Sequence, residues 1–101
     1  MSRRPGLDIA IIGAGTISLS FAALYLDHGV KYLRDPLRVT IHDSRRDIEE
    51  HVLSTLPKYI PCKLTKIEDD AYLVHLDGRS LDKVVIHNDL AQAVSQADII
   101  Q

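Results

Sequence analysis

Leu7-Asp8-Ile9-Ala10-Ile11-Ile12-Gly13-Ala14-Gly15-Thr16-Ile17-Ser18 is the stretch that decides how this chain is to be read. Its first half, Leu7 to Ile12, is a short and almost unbroken apolar run, which predicts a strand buried on both faces in the middle of a parallel sheet. Gly13 and Gly15 then punctuate the run. After them the pattern changes to helical spacing, with Leu19, Ala22, Ala23 and Leu26 on one face, and Gly29 is placed to stop the helix in a left-handed turn.

Moving outward, a polar loop from Lys31 to Pro36 leads to a second strand, Leu37-Arg38-Val39-Thr40-Ile41-His42-Asp43, supported by its β-branched content. Ser44 is the expected N-cap of a second helix, with Asp47 three residues on. Ile48, Val52 and Leu56 form its buried face, and Pro57 is expected to end it. Between Pro57 and Lys83 two readings stay open, since Asp77-Gly78 can turn a hairpin or separate a helix from a loop. Lys83-Val84-Val85-Ile86-His87 predicts a third strand. Asn88 or Asp89 then caps a helix with Leu90, Ala93, Val94 and Ala97 on its face, and Asp98-Ile99-Ile100 opens a fourth strand within which the chain ends at Gln101. The expected fold class is α/β, a Rossmann-type parallel sheet with helices on both faces, truncated in the fourth strand, occupying residues 1–101 as one domain.

Composition narrows the function. The 101 residues are 46% hydrophobic, enough for one modest core. Twelve basic against 14 acidic side chains give a net charge of −2, which offers no general attraction for nucleic acid or an anionic membrane. Arg3 and Arg4 stand in a polar leader and are expected to fray. Cys62 is the single cysteine, so no intrachain disulfide can form, and no apolar run approaches the ~18 residues of a membrane span; a cytoplasmic location is expected. His28, His42, His51, His75 and His87 lack paired ligand spacing, so no metal is expected. Asp69 and Asp70 are neighbours whose side chains do not converge, and nothing stands out as a catalytic acid or base.

The glycine turn is where chemistry is legible. Gly13 permits a tight turn, and Gly15, lacking a Cβ, lets a pyrophosphate approach the backbone. Thr16 and Ile17 open a helix whose free N–H groups and positive dipole end attract phosphate. Ser18 takes the third fingerprint position, usually Gly or Ala; its hydroxyl can bond back to a helix carbonyl or touch a phosphate oxygen. Asp43 ends the second strand, farther from the glycines than the usual ~20 residues, with the Lys31–Pro36 loop accounting for the difference. A carboxylate there accepts hydrogen bonds from the ribose 2′-hydroxyl of NAD and repels the 2′-phosphate of NADP, so NAD is the expected cofactor. Arg45 and Arg46 are either solvated or available to a 2′-phosphate.

On these residues the chain resembles the NAD-binding domain of 3-hydroxyacyl-CoA dehydrogenases, a family that includes lambda-crystallin-like gulonate dehydrogenases. The likeness rests on Ile9 to Ile17, on Val39 to Asp43, and on Asn88-Asp89-Leu90-Ala91-Gln92-Ala93-Val94 running into Ala97-Asp98-Ile99-Ile100-Gln101. It implies an oxidoreductase of fatty acid metabolism, with Gly13, Gly15, Thr16, Ile17, Ser18, Asp43 and Arg45 around NAD(H). The family's catalytic histidine, that residue's glutamate partner, and the helical domain used for substrate binding and homodimer formation are not among these residues. Ser18 and the 57–83 segment depart from the family pattern. Three other readings remain open: a stand-alone nucleotide-binding or regulatory module, a flavoprotein, and a domain whose glycine turn merely packs.

Overall fold

The structure, a computed structural model, describes residues 6–13 and 15–101; the Arg3-Arg4 leader and Ala14 lie outside the described residues. Strands β1 (Leu7–Ile12), β2 (Leu37–His42), β3 (Lys63–Lys66), β4 (Ala71–Leu76), β5 (Arg79–His87) and β6 (Ile99–Ile100) form one sheet in the order β3-β4-β5-β2-β1-β6. Helices α1 (Thr16–Tyr32), α2 (Ile48–Tyr59) and α3 (Leu90–Val94) complete this α/β unit.

The sheet is mixed, which corrects the expectation of a purely parallel one. β1 pairs in parallel with β2 and β6, and β2 with β5, whereas β3–β4 and β4–β5 are antiparallel. The cause lies in the stretch left open from sequence. Asp77 (φ 51°) and Gly78 (φ 80°) take the two successive positive φ angles of a type I′ turn, which folds β5 straight back along β4 without a crossover. β4 alternates as a strand with one buried face should: Tyr72, Val74 and Leu76 point into the core, and Leu73 and His75 are half-buried. The third strand read from Lys83 to His87 therefore begins four residues earlier, at Arg79.

Two helix ends also differ from expectation. α1 does not stop at Gly29 but runs through it to Tyr32, with Leu33 N–H closing the last turn on Gly29 O at 3.0 Å. Gly29 is buried for packing: a Cβ there would sit 3.2 Å from Leu37 Cδ2. α2 likewise continues past Pro57 to Tyr59: a proline loses its own N–H bond and crowds the carbonyl four residues back, but the residues after it still bond, and Ile60 N–H closes the helix on Leu56 O at 3.3 Å. Its N-cap position is held by Asp47, not Ser44. Asp47 makes no capping bond; its carboxylate is taken by Arg45.

α1 and α2 cover one face of the sheet. Ile9, Ile11, Val39, Ile41, Val84 and Ile86 from the strands meet Leu19, Ala22, Leu26, Val52 and Leu56 from the helices in a continuous buried cluster. Burying each such aliphatic side chain contributes about 1.5–3 kcal/mol, which makes this layer the main source of stability. Alternate residues face the other way, where α3 packs over β2 and β5 through buried Ala93; Leu90 stays half exposed. Asp89 caps α3, accepting from Ala91 N–H at 2.9 Å and Gln92 N–H at 3.3 Å.

The hairpin is fastened to α2 through Tyr72, whose hydroxyl bonds Glu49 while Lys66 lies 6.0 Å above its ring. Burial, and after it the Glu49 carboxylate, push the Tyr72 hydroxyl up to about 12. The folded chain thus holds this proton more tightly than the unfolded one, where tyrosine titrates near ~10. Its contribution is intact below the unfolded pKa and is lost as pH rises through that window. Urea melts between these two pH values should show stability falling, with a smaller fall in Tyr72→Phe; identical slopes for the two proteins would overturn this assignment.

Candidate functional site

The carboxyl ends of β1 and β2 meet at a single hydrogen bond, Gly13 N–H to His42 O at 2.6 Å. This bond follows from the register, which places Ile12 opposite His42 and so brings the glycine turn beside the tip of the second strand. Gly13 has φ +104°, a conformation that L side chains rarely adopt, and a Cβ on it would stand 3.2 Å from Ser18 Oγ. The turn therefore requires glycine for both backbone and space.

Gly15 occupies the N-cap position of α1 with φ −75° and ψ 179°, and its carbonyl accepts Leu19 N–H at 3.0 Å. No side chain caps this 17-residue helix and no acidic residue lies in its first turn. The N–H groups of Thr16, Ile17 and Ser18 therefore point outward without intrahelical acceptors, at the positive end of the helix dipole. Thr16 and Ile17 are exposed and Ser18 is half-buried. A back-bond of the kind considered for Ser18 is made by Ser20, whose Oγ donates to Thr16 O at 2.8 Å. Among the described residues, and apart from the chain neighbours of Gly15, nothing lies within 4 Å of the position a Gly15 Cβ would take, so the space over the first turn is open.

Asp43 follows β2 directly, and its Oδ1 accepts Arg45 N–H at 3.0 Å, a bond that fixes the carboxylate at the strand tip. A carboxylate has about four lone-pair directions and can accept several hydrogen bonds at once. Arg45 is held by Asp47. Its Nε and Nη2 donate to the two Asp47 oxygens at 2.7 and 3.0 Å, and this pairing raises the Arg45 pKa and holds the Asp47 carboxyl below its usual range. The structure thus brings Gly13, Gly15, Thr16, Ile17, Ser18 and Asp43 to one end of the sheet and leaves Arg45 occupied beside them. The sequence reading passed over His42, whose carbonyl closes the turn and whose ring Nδ1 lies 3.1 Å from His87 O. Only the strand register could have revealed it.

Among the described residues no group of three or more His, Cys, Asp or Glu side chains could hold a metal ion, and no helix is long and apolar enough to cross a membrane. Cys62 is half-buried, and burial pushes its thiol pKa up, away from the thiolate that nucleophilic chemistry needs. Comparison with known proteins brings no match: no family model, curated protein or solved structure is significantly similar to this chain.

Proposed function

We propose that this chain binds NAD(H) at the carboxyl ends of β1 and β2. The carrying observation is the uncapped N-terminus of α1, held by the Gly13 turn next to the Asp43 carboxylate. Supporting it is the parallel block β5-β2-β1-β6, whose order matches the 3-2-1-4 arrangement of a Rossmann half, with the β3–β4 hairpin added beyond it. In such sheets ligands bind where connections diverge on either side of one strand. Here that strand is β1, flanked by β2 and β6.

In this reading the N–H groups of Thr16, Ile17 and Ser18 donate to the pyrophosphate, Gly15 lets it approach, and Asp43 accepts from the adenosine ribose hydroxyls. Arg45, engaged by Asp47, would have to give up a bidentate pair to receive a 2′-phosphate, which supports NAD over NADP. The wider proposal is an oxidoreductase acting on a 3-hydroxy group of a hydroxyacyl or hydroxy-acid substrate, after the manner of 3-hydroxyacyl-CoA dehydrogenases. It rests on the resemblance of the glycine turn, the Asp43 strand and the 88–101 segment. The nicotinamide supplies hydride chemistry when bound; Gly15, Thr16, Ile17, Ser18 and Asp43 would hold the pyrophosphate and adenosine half of the cofactor.

The chain has no tryptophan, so calorimetric titration with NADH and NADPH is the direct test. Hydrogen bonds to a charged group are worth about 1.5–3 kcal/mol, so NADH should bind at least ~10-fold more tightly than NADPH. Asp43→Ala should erase that preference, weakening NADH by the lost hydrogen bond and relieving NADPH of the repulsion on its 2′-phosphate. Equal affinity of the folded wild-type chain for both nucleotides, or no binding of either, would sink the proposal.

A further inference from the structure

The sheet face opposite α1 and α2 carries a cleft that the dinucleotide proposal does not use. It measures about 220 Å³ and lies over β2, β5 and the β3–β4 turn, with Val85 and Ala71 as its apolar floor. Its charges are sorted by position. Arg38 and Lys83 stand opposite each other at the first pair of the β2–β5 ladder, which runs on to His42 and His87. Glu68 and Asp70, from the turn before β4, stand with His87 at the carboxyl end of β5.

Two like charges directly opposite across a strand pair are unfavourable unless an anion lies between or beside them. Asp8 meets this need in part: its Oδ1 is 2.7 Å from Arg38 Nε, and Gln96 Oε1 accepts from Arg38 Nη2 at 3.3 Å. These contacts hold the Arg38 guanidinium in place at the cleft, and Lys83 adds a second cation on a flexible stem. At the other end Asp70 Oδ2 lies 3.2 Å from His87 Nδ1, and Asp70 is tied to β5 by its own carbonyl, which accepts Ile86 N–H at 2.8 Å. Both poles are therefore anchored to the sheet. Lys83 and His87 are four residues apart on one strand, about 13 Å of backbone at ~3.3 Å per residue, and the lysine stem is long enough to bring its ammonium within reach of a ligand shorter than that span.

We propose that this cleft binds a small zwitterion of the ω-amino carboxylate class, its carboxylate between Arg38 and Lys83 and its ammonium against Asp70 and Glu68. The volume lies below the ~300–1,000 Å³ of pockets for drug-sized ligands, which sets the ligand at amino-acid size. Val85 and Ala71 receive the methylenes, and the opposed charges fix the direction in which the ligand lies. A compound carrying one charge satisfies one pole only, and an α-amino acid such as glycine has its charges too close together to reach both.

The test is a titration of the isotopically labelled chain followed by amide chemical shifts, with 6-aminohexanoate, hexanoate, hexylamine and glycine as separate ligands. The proposal expects 6-aminohexanoate to give saturable shifts at residues 38, 68–71 and 83–87, and to bind about 10-fold more tightly than any of the other three. Lys83→Met should remove that advantage, and so should Glu68→Gln, an exposed change that leaves the Asp70–His87 contact alone. Equal affinity for 6-aminohexanoate and any of the other three, or shifts outside the cleft alone, would overturn it.

Discussion

Replacing Asp82 by alanine should lower the free energy of unfolding by about 3–5 kcal/mol, a large part of the ~5–15 kcal/mol typical of a whole domain. Asp82 is only 1% exposed. Its Oδ1 accepts Leu37 N–H at 2.9 Å and Arg79 Nη2 at 3.0 Å, and its Oδ2 accepts Arg79 Nε at 2.7 Å. Arg79, itself largely buried, donates onward to Asp35 O at 2.7 Å and to Leu33 O. One carboxylate and one guanidinium thus fasten the connection from α1 to the first residue of β2. The alanine variant leaves Arg79 buried without its counter-ion and Leu37 without an acceptor, and a charge stranded in this way costs more than the pair was worth. The double variant Arg79→Met, Asp82→Leu removes both charges at once and should recover much of the loss. Urea denaturation of the three proteins decides the matter. A loss below about 1 kcal/mol in Asp82→Ala, the level of an exposed ion pair, would mean that the staple contributes little.

That staple was not legible in the sequence, although much of the fold was. The apolar runs at Leu7–Ile12, Leu37–His42 and 83–87 mark strands because each is too short for a helix and is bounded by glycine, proline or polar residues. The face of α1 was equally plain from Leu19, Ala22, Ala23 and Leu26. Where reading failed, the deciding contact was distant. Gly29 looks like a helix stop, yet it is an interior glycine packed closely against Leu37, a neighbour only in space. Arg79 finds its two carbonyl acceptors 44 and 46 residues back along the chain. β3 is a four-residue edge strand, Lys63–Lys66, with no buried side chain, so no hydrophobic pattern could announce it. It is held by its register with β4 and by a side-chain bond from Thr65 to His75 at 3.0 Å. The candidate site was readable residue by residue, because its glycines and Asp43 are local signals. That they lie together depends on the Ile12–His42 pairing, which only the folded sheet provides.

Gly15→Val should abolish tight NADH binding, by about 100-fold or more, while leaving the protein folded. The two glycines of the turn differ in a way that makes this substitution the informative one. Gly13 has φ +104°, so any side chain there is strained by about 1–3 kcal/mol, and its Cβ would press on Ser18; loss of binding in a Gly13 variant could reflect a damaged turn. Gly15 has φ −75° and ψ 179°, an extended conformation open to every residue, and among the described residues, apart from its chain neighbours, nothing lies within 4 Å of the added Cβ. Glycine is preferred to valine at an N-cap, so the thermal midpoint should fall, but only by the few degrees that about 1 kcal/mol brings. What valine does fill is the open space over the N–H groups of Thr16 and Ile17, where the pyrophosphate must come within hydrogen-bond distance of the backbone. Calorimetric titration alongside thermal melts separates the two effects. A folded Gly15→Val chain that binds NADH as well as the wild type would place the pyrophosphate elsewhere and remove the basis for dinucleotide binding at this turn. Affinity lost far beyond what any change in midpoint accounts for would locate the phosphate at the start of α1, since the added Cβ meets none of the other described residues.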